Sequence, residues 1–190
     1  MKINNIIVII SVSVILASCG PILGQLAKVS EGVKSFEVTE GNASALKSVK
    51  NLLVVGPFTK GDKGRYICRG EDAMILNDAF NEKGLFKSAV FVERDADKAA
   101  SQKAALMAKN GDALKSELGL KSAPDTVLFG TILYRDTTVA PSRGIVMDLK
   151  LKLEFYNVSS KKTTTVIIHA KELSRDLTPA MVAELKKHIQ

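Results

Sequence analysis

Residues 142–156 read SRGIVMDLKLKLEFY, and their alternation decides the fold. Every second residue from position 145 is apolar: Ile145, Met147, Leu149, Leu151, Leu153 and Phe155. Charged residues stand between them: Asp148, Lys150, Lys152 and Glu154. A period of two over this length predicts a long antiparallel strand with one face on the core and the other in water. The polar turn at 159–162 leads into another predicted strand at 163–171, so we expect a long hairpin over about residues 142–172.

The segments before this hairpin predict alternating strands and helices. Apolar runs indicate strands at 49–55, 88–93 and 127–134. Apolar residues at helical spacing indicate helices at 71–83, 95–109 and 112–118.

A closing helix is predicted at the end of the chain. Thr178 is expected as its N-cap and Pro179 as its first residue, with Val182, Leu185 and Ile189 on one face. The order is therefore β-α-β-α-β-β-β-α. It predicts an α/β (α+β) domain with a mixed sheet of about five strands and three or four helices.

A basic segment follows the first predicted strand. That strand is expected to end in a turn at Gly56-Pro57. The spacing from Gly56 to Gly61 resembles a P-loop, but Asp62 stands where the motif needs Lys, and a carboxylate repels phosphate. Four cations concentrate in the loop predicted next: Lys60, Lys63, Arg65 and Arg69. They indicate either a solvated loop or a contact with an anion or a partner, steered by charge.

The first residues predict an export signal. Positions 6–16 read IIVIISVSVIL, which is too short to span a bilayer but fits a secretory h-region. The sequence Leu16-Ala17-Ser18-Cys19 follows and resembles the lipobox of bacterial lipoproteins. That resemblance implies cleavage between Ser18 and Cys19, a diacylglycerol thioether on Cys19 and N-acylation of the new amine.

The signal divides the chain into three parts. Residues 1–18 are the predicted signal peptide, residues 19–45 the lipidated Cys with a tether or short helix, and residues 46–190 a single periplasmic α/β domain. The short helix would use Ile22, Leu23, Leu26, Val29 and Val33. Acyl chains hold such a protein on a membrane without a spanning helix. By the same resemblance to bacterial lipoproteins, Gly20 in place of an Asp implies sorting to the inner leaflet of the outer membrane, facing the periplasm, in a Gram-negative host.

The charge balance is basic. The chain of 190 residues has 27 Lys+Arg and 20 Asp+Glu, a formal net charge of +7. Removal of the leader, which contains Lys2 and no acid, would leave 172 residues and +6. A basic domain often binds nucleic acid. An exported protein instead meets anionic lipid and acidic partners, so we expect no nucleic acid as a partner.

The reactive side chains do not form a recognisable catalytic set. Lipidation would consume Cys19 and leave Cys68 without a partner in the chain. Cys68 is interpreted as a small semi-buried residue, the alternative being a thiol whose pKa is lowered by Arg69. His169 and His188 are interpreted as structural or exposed. We therefore expect no enzyme, no metal site and no cofactor apart from the covalent lipid.

Four stretches support a family resemblance: VGPF at 55–58, LF at 85–86, VFVER at 90–94 and PDTVLFG at 124–130. With the alternating hairpin, they make residues 48–173 resemble the anticodon-binding-domain-like α/β domain shared by the TolB amino-terminal domain, the curli secretion lipoprotein CsgG and the penicillin-binding-protein activator LpoB. The resemblance implies protein–protein work at the periplasmic face of the envelope. Together with the lipobox and the lack of a catalytic set, the α/β domain predicts a non-enzymatic binding or assembly factor for a secretion, flagellar or cell-wall synthesis complex. The alternative is a CsgG-like oligomeric secretion-channel subunit. The partner is not identified, and self-association into a homo-oligomer is open.

Overall fold

The structure, a computed structural model, describes residues 31–140 and 144–189. The strands are β1 Gly32–Glu40, β2 Asn51–Lys63, β3 Lys87–Val92, β4 Thr126–Ala140, β5 Gly144–Asn157 and β6 Thr163–Leu173. The helices are α1 Glu71–Glu82, α2 Ala96–Met107, α3 Gly111–Leu118 and α4 Ser174–Ile189, and a 3-10 helix spans Ala43–Ser48. The predicted signal peptide, Cys19 and the first part of the predicted tether lie outside the described residues.

The strands form one mixed sheet in the order β1-β6-β5-β4-β2-β3. β2 runs parallel to both β3 and β4, whereas the β4–β5, β5–β6 and β6–β1 pairs are antiparallel. The predicted α/β class is confirmed, but the sheet of the described part has six strands where about five were expected. The additional strand is β1, and it contains Val33, which was expected in a tether or short helix.

Each face of the sheet has its own apolar cluster. On one face, α1 and α4 cover a core that includes Phe58, Phe80, Leu128 and Ile168. On the other face, α2 and α3 contribute Leu106 and Leu114 to a smaller cluster with residues of β2 and β4. The second cluster covers the β3, β2 and β4 side of the sheet and reaches β5 only at Tyr156. The rest of that face has no helix over it in the part of the chain that the structure describes.

The predicted long hairpin is confirmed as β5 and β6, which pair antiparallel. β5 pairs with β4 from Asn157 back to Gly144, and with β6 from Tyr156 to Val146. The alternating residues divide as predicted: Leu149, Leu151 and Leu153 are buried on the helix-covered face. Position 142, where the hairpin was expected to begin, lies outside the described residues.

β2 continues beyond its predicted end. The peptide between Gly56 and Pro57 is cis, and the pairing with β4 shifts register between Val55 and Thr59. The strand absorbs this irregularity and continues to Lys63 instead of ending in a turn. Consequently Lys60 and Lys63 lie in a strand, and the prediction that they belong to a loop is wrong.

The beginning of the last helix also differs from the prediction. α4 begins at Ser174, so Thr178 is not its N-cap and Pro179 lies inside the helix. Leu177 is buried and packs with Met181 and Leu185 at helical spacing. Burial of Leu177 in the first turns stabilises an earlier start, although an internal proline removes one helical hydrogen bond.

The other three helices agree with the sequence patterns. The Asp95 carboxylate caps α2 by accepting from the backbone N–H of Asp97, and the Asn110 side chain caps α3 by accepting from that of Ala113. Gly119 follows α3 with a φ of 63°. In the part of the chain that the structure describes, no helix is both long enough and apolar enough to cross a membrane.

Candidate partner-binding face

The uncovered half of the sheet presents a row of polar side chains across neighbouring strands. Lys63 of β2 pairs with Tyr134 of β4, Tyr134 with Lys150 of β5, and Lys150 with His169 of β6. Residues directly opposite one another in a sheet project from the same face. We call the surface around this row, from the end of β2 across β4, β5 and β6 to β1, the open face.

A recess of about 290 Å³ lies at the β2 end of this row. Its lining residues are Asp62, Lys63, Arg65, Tyr134, Arg135 and Asp136. The recess brings together two of the four cations predicted as partner contacts, Lys63 and Arg65. Lys60 instead has its Nζ 5.6 Å from the centroid of the Tyr66 ring. Arg69 is exposed and does not line the recess.

Hydrogen bonds from Arg135 and Tyr66 hold the connection between β2 and α1 in place. Arg135 is only 5% exposed and donates from Nη1 to the carbonyl oxygen of Arg65 at 3.0 Å. Both of its terminal nitrogens also donate to the Asp72 carboxylate. The Tyr66 hydroxyl donates to the Phe58 carbonyl oxygen at 2.5 Å. These contacts hold the backbone at 65–66, so the side chain of Arg65 projects from a fixed position.

The cations of the open face differ in their pairing. Lys152 is paired with Glu154 at 3.3 Å and Lys171 with Glu31 at 3.1 Å. Among the described residues, three cations of this surface have no acidic partner: Lys63, Arg65 and Lys150. Two acids, Asp62 and Asp136, share the recess with them. The β2 end of the open face therefore has a small excess of unpaired positive charge.

A paired charge cluster lies farther along the open face. His169 Nε2 is 2.6 Å from Asp148 Oδ1, and Lys34 Nζ is 3.1 Å from Asp148 Oδ2. Partial burial alone would raise the pKa of the Asp148 carboxyl, but the hydrogen bonds from His169 and Lys34 outweigh it and lower that pKa. Lys34 also contacts Glu31, and donors from Lys171 and Lys34 lower the pKa of Glu31. At this end of the open face the charged side chains are therefore paired with one another.

Sequence reasoning missed Tyr134, Lys150 and Asp148 as parts of one surface. The alternation of β5 does place Lys150 and Asp148 on the same face, and that signal was available. Their proximity to Tyr134 and His169 depends on the register between strands. The prediction for His169 identified neither its Asp148 partner nor its place on this surface.

The remaining reactive side chains do not form a site. Cys68 is exposed, so the prediction of a semi-buried residue is wrong. A hydrogen bond with Glu71 raises the pKa of its thiol, the opposite of the lowering considered for Arg69. The ring of His188 stacks on Phe36 with centroids 3.8 Å apart, which is a packing role. Within residues 31–140 and 144–189, no group of three His, Cys, Asp or Glu side chains is placed to hold a metal ion.

The structures compared with this chain are distant from it in sequence. No protein-family model and no curated protein sequence matches the chain. Two structures of the PelC dodecamer from Paraburkholderia phytofirmans align at 14% and 15% identity, over 82% of this chain and 97% and 96% of theirs, with TM-scores of 0.47 and 0.48. The hypothetical protein CT253 from Chlamydia trachomatis aligns at 12% identity over 74% of this chain and 93% of its own, with a TM-score of 0.36.

Proposed function

We propose that the protein is a lipid-anchored, non-enzymatic binding factor for an envelope complex, and that its open face binds an acidic segment of a protein in that complex. The observation that carries this proposal is the position of Lys63, Arg65 and Lys150 around Tyr134, without acidic partners among the described residues. Unpaired cations beside an aromatic ring are suited to an acidic, partly apolar segment.

The arrangement supports binding at a defined position. The row across β2, β4, β5 and β6 lies on a hydrogen-bonded sheet, so its side chains are presented on a rigid element. Arg135 holds the backbone beside Arg65. Charge would steer the partner to the β2 end of the face, and the Tyr134 ring would supply apolar contact area.

The anchor is the second part of the proposal. Cleavage before Cys19 and acylation of that residue would hold the domain on the periplasmic side of the outer membrane, as Gly20 favours in a Gram-negative host. Replacement Cys19→Ser should abolish incorporation of radioactive palmitate and release the protein from the membrane fraction. Incorporation that persists in this variant would contradict the proposed site.

Photocrosslinking in intact cells tests the open face. A benzoylphenylalanine at Tyr134 should capture a reproducible protein partner, whereas the same group at Lys47, in the 3-10 helix, should not. Charge reversal of Lys63, Arg65 and Lys150 to Glu should lower the Tyr134 cross-link about tenfold. A matched reversal at Lys47, Lys98 and Lys115 gives the same change in net charge and should leave the cross-link unchanged.

Two outcomes would contradict the proposed function. Equal loss of the cross-link in both charge-reversed proteins would show that the open face is not the binding surface. A large ring of identical subunits after detergent extraction, with only self-cross-links at Tyr134, would favour the CsgG-like channel subunit instead.

A further inference from the structure

Exposed apolar side chains collect at the end of the sheet where β4 ends and β5 begins, which we call the hairpin end. β2 and β6 also end on this side of the molecule, and α1 and α4 begin there. Among the described residues, six large apolar side chains are exposed, and five of them lie at the hairpin end: Ile67 at 56%, Met74 at 51%, Ile75 at 43%, Val139 at 77% and Ile145 at 52%. A cluster of this kind indicates contact with an apolar partner.

The cluster stands on the part of the hairpin that projects from the sheet. The pairing of β2 with β4 reaches Tyr134, and that of β6 with β5 reaches Val146, so the ends of β4 and β5 extend past the strands beside them. Val139 and Ile145 lie directly opposite each other on these ends and project from the same face. With Ile67, they line a groove of about 380 Å³ beside the first turns of α1 and α4.

The chain from the proposed anchor arrives near the hairpin end. The Glu31 backbone N–H donates to the Lys171 carbonyl oxygen at 2.9 Å, and Lys171 lies opposite Asp148 of β5. Ile145 is three residues from Asp148 toward the hairpin end, which is about 10 Å along the strand. Glu31 follows Cys19 by twelve residues (31 minus 19), a length of chain that spans about 40 Å at most. A membrane that holds Cys19 is therefore within reach of the hairpin end.

The size and charge of the hairpin end favour a bilayer over a second copy of the chain. The exposed parts of the five apolar side chains amount to on the order of a few hundred Å², less than the roughly 800 Å² per partner that a stable dimer buries. Two exposed cations of this end, Arg69 and Arg175, are accompanied by the exposed acids Glu71 and Asp176, and Arg175 is 3.3 Å from Asp176. Because these charges balance, the apolar side chains determine what binds.

We propose that the hairpin end docks on the bilayer that holds the anchor, with Ile67, Val139 and Ile145 inserted at the boundary between headgroups and acyl chains. The inference rests on the proposed lipid anchor and adds a second, non-covalent contact with the same membrane. Side chains that lie in this boundary enter it by about 5–10 Å. The strands then point toward the membrane. Lys150 of the open face, five residues from Ile145, stands about 17 Å farther from it and stays free for a protein partner.

Quenching by lipid tests the docking directly. The full lipidated chain, in a Cys68→Ser background, carries a bimane fluorophore on the thiol introduced by Ile145→Cys. The matched control carries it on the thiol introduced by Ser159→Cys, in the turn at the other end of β5, about 40 Å away along the strand. In vesicles of phosphatidylethanolamine and phosphatidylglycerol with brominated acyl chains, quenching at position 145 should exceed that at position 159 at least about fivefold. Equal quenching at the two positions would overturn the proposal.

A second measurement asks whether the apolar side chains cause the contact. With the bimane on the thiol introduced by Ile67→Cys, the changes Val139→Asp and Ile145→Asp should lower the quenching at least about threefold. Ser159→Asp and Ser160→Asp add the same charge at the other end of β5 and should leave it unchanged. Equal quenching in all three proteins would overturn the proposal. Cross-links that join position 145 of two copies, with no quenching there, would also overturn it, since a second copy would then cover the hairpin end.

A change of anchor separates the docking from the lipidation of Cys19. A hexahistidine tag in place of residues 1–19 holds the remaining chain on the same vesicles when they contain nickel-chelating lipid, so acylation is not needed. Quenching at position 145 should persist in this protein, whether or not Cys19 is the lipidation site. Tagged protein that is bound to the vesicles but not quenched would overturn the docking and leave the proposed anchor standing.

Discussion

At Gly130 the packing of the sheet leaves no room for a single additional carbon atom. It lies in the middle of β4, and a Cβ at this position would be 2.5 Å from the ring of Phe58, which is 1% exposed. The ring occupies the space that any side chain at 130 would need. Glycine is required there by close approach, not by its backbone angles.

Replacement Gly130→Ala should lower the free energy of unfolding by about 1–3 kcal/mol, because the Phe58 ring is held on all sides and must shift. Urea denaturation measures this loss. Gly61→Ala in β2 is the matched control, since its Cβ would find no heavy atom nearer than 3.7 Å among the described residues. A loss in the control equal to that at Gly130 would show that the strand glycines matter for another reason.

The carboxyl of Asp148 should make stability depend on acid pH. Its folded-state pKa lies below the ordinary value of 3.8, so its contribution is fully present above that pH and is lost as the pH falls through the folded-state pKa. Asp148→Asn should therefore be less stable than the wild type near pH 5 and should show a shallower loss of stability from pH 4 to pH 2, by at most one proton's slope. Urea unfolding at each pH measures both effects. Identical slopes in the two proteins would contradict the assignment.

At the scale of the elements, one buried ion pair joins β4, α1 and the connection between β2 and α1. Arg135 contacts both Asp72 and the Arg65 carbonyl oxygen, and its Nε has no partner among the described residues. Asp72→Ala should cost about 3 kcal/mol, because it leaves a buried guanidinium without a counter-charge. Asp72→Ala with Arg135→Met should cost less than the sum of the two single changes. A double-mutant cycle by urea unfolding measures the difference, and strict additivity would contradict the coupling.

The start of α4 can be tested by two substitutions. Pro179 lies inside the helix, where it removes a backbone donor, so Pro179→Ala should raise the free energy of unfolding by about 1–3 kcal/mol. Thr178→Ala should change it by less than about 0.5 kcal/mol, because Thr178 is not the N-cap. A loss of about 1 kcal/mol at Thr178 would instead indicate that it caps the helix.

The elements were predictable where the apolar pattern was regular. β5 keeps a strict alternation and was found, whereas β1 was not. In β1 the apolar residues Val33, Phe36 and Val38 are spaced by three and then two, because register shifts interrupt its pairing with β6. A bulge of this kind breaks the period on which a strand prediction depends. Gly56-Pro57 is likewise typical of a turn, so the second half of β2, up to Lys63, was not predicted as a strand.

At the scale of the whole molecule, the open face depends on long-range register. Lys63 and Tyr134 are neighbours only because β2 pairs with β4, and His169 joins them through β5. The sequence showed that the basic segment exists and that β5 has a charged face. It did not show that Lys63 and Lys150 flank one tyrosine, because no local pattern specifies which strands are neighbours.

The balance of charge over the open face predicts how binding responds to salt. If Lys63, Arg65 and Lys150 attract an acidic segment, the Tyr134 cross-link in permeabilised cells should fall several-fold as salt rises from about 50 mM to about 500 mM. The protein with these three residues changed to Glu should lack this dependence. A cross-link that strengthens with salt would indicate an apolar contact in place of the charged one.

The pairing of β1 with β6 has a mechanical consequence. The chain enters the sheet at Glu31 and continues directly into β1, and the hydrogen bonds of an antiparallel pair run across the strands. A pull along β1 from its upstream end therefore loads the bonds between β1 and β6 together, in shear, instead of opening them one after another. The β1–β6 pairing therefore resists tension applied to the domain through the chain before Glu31.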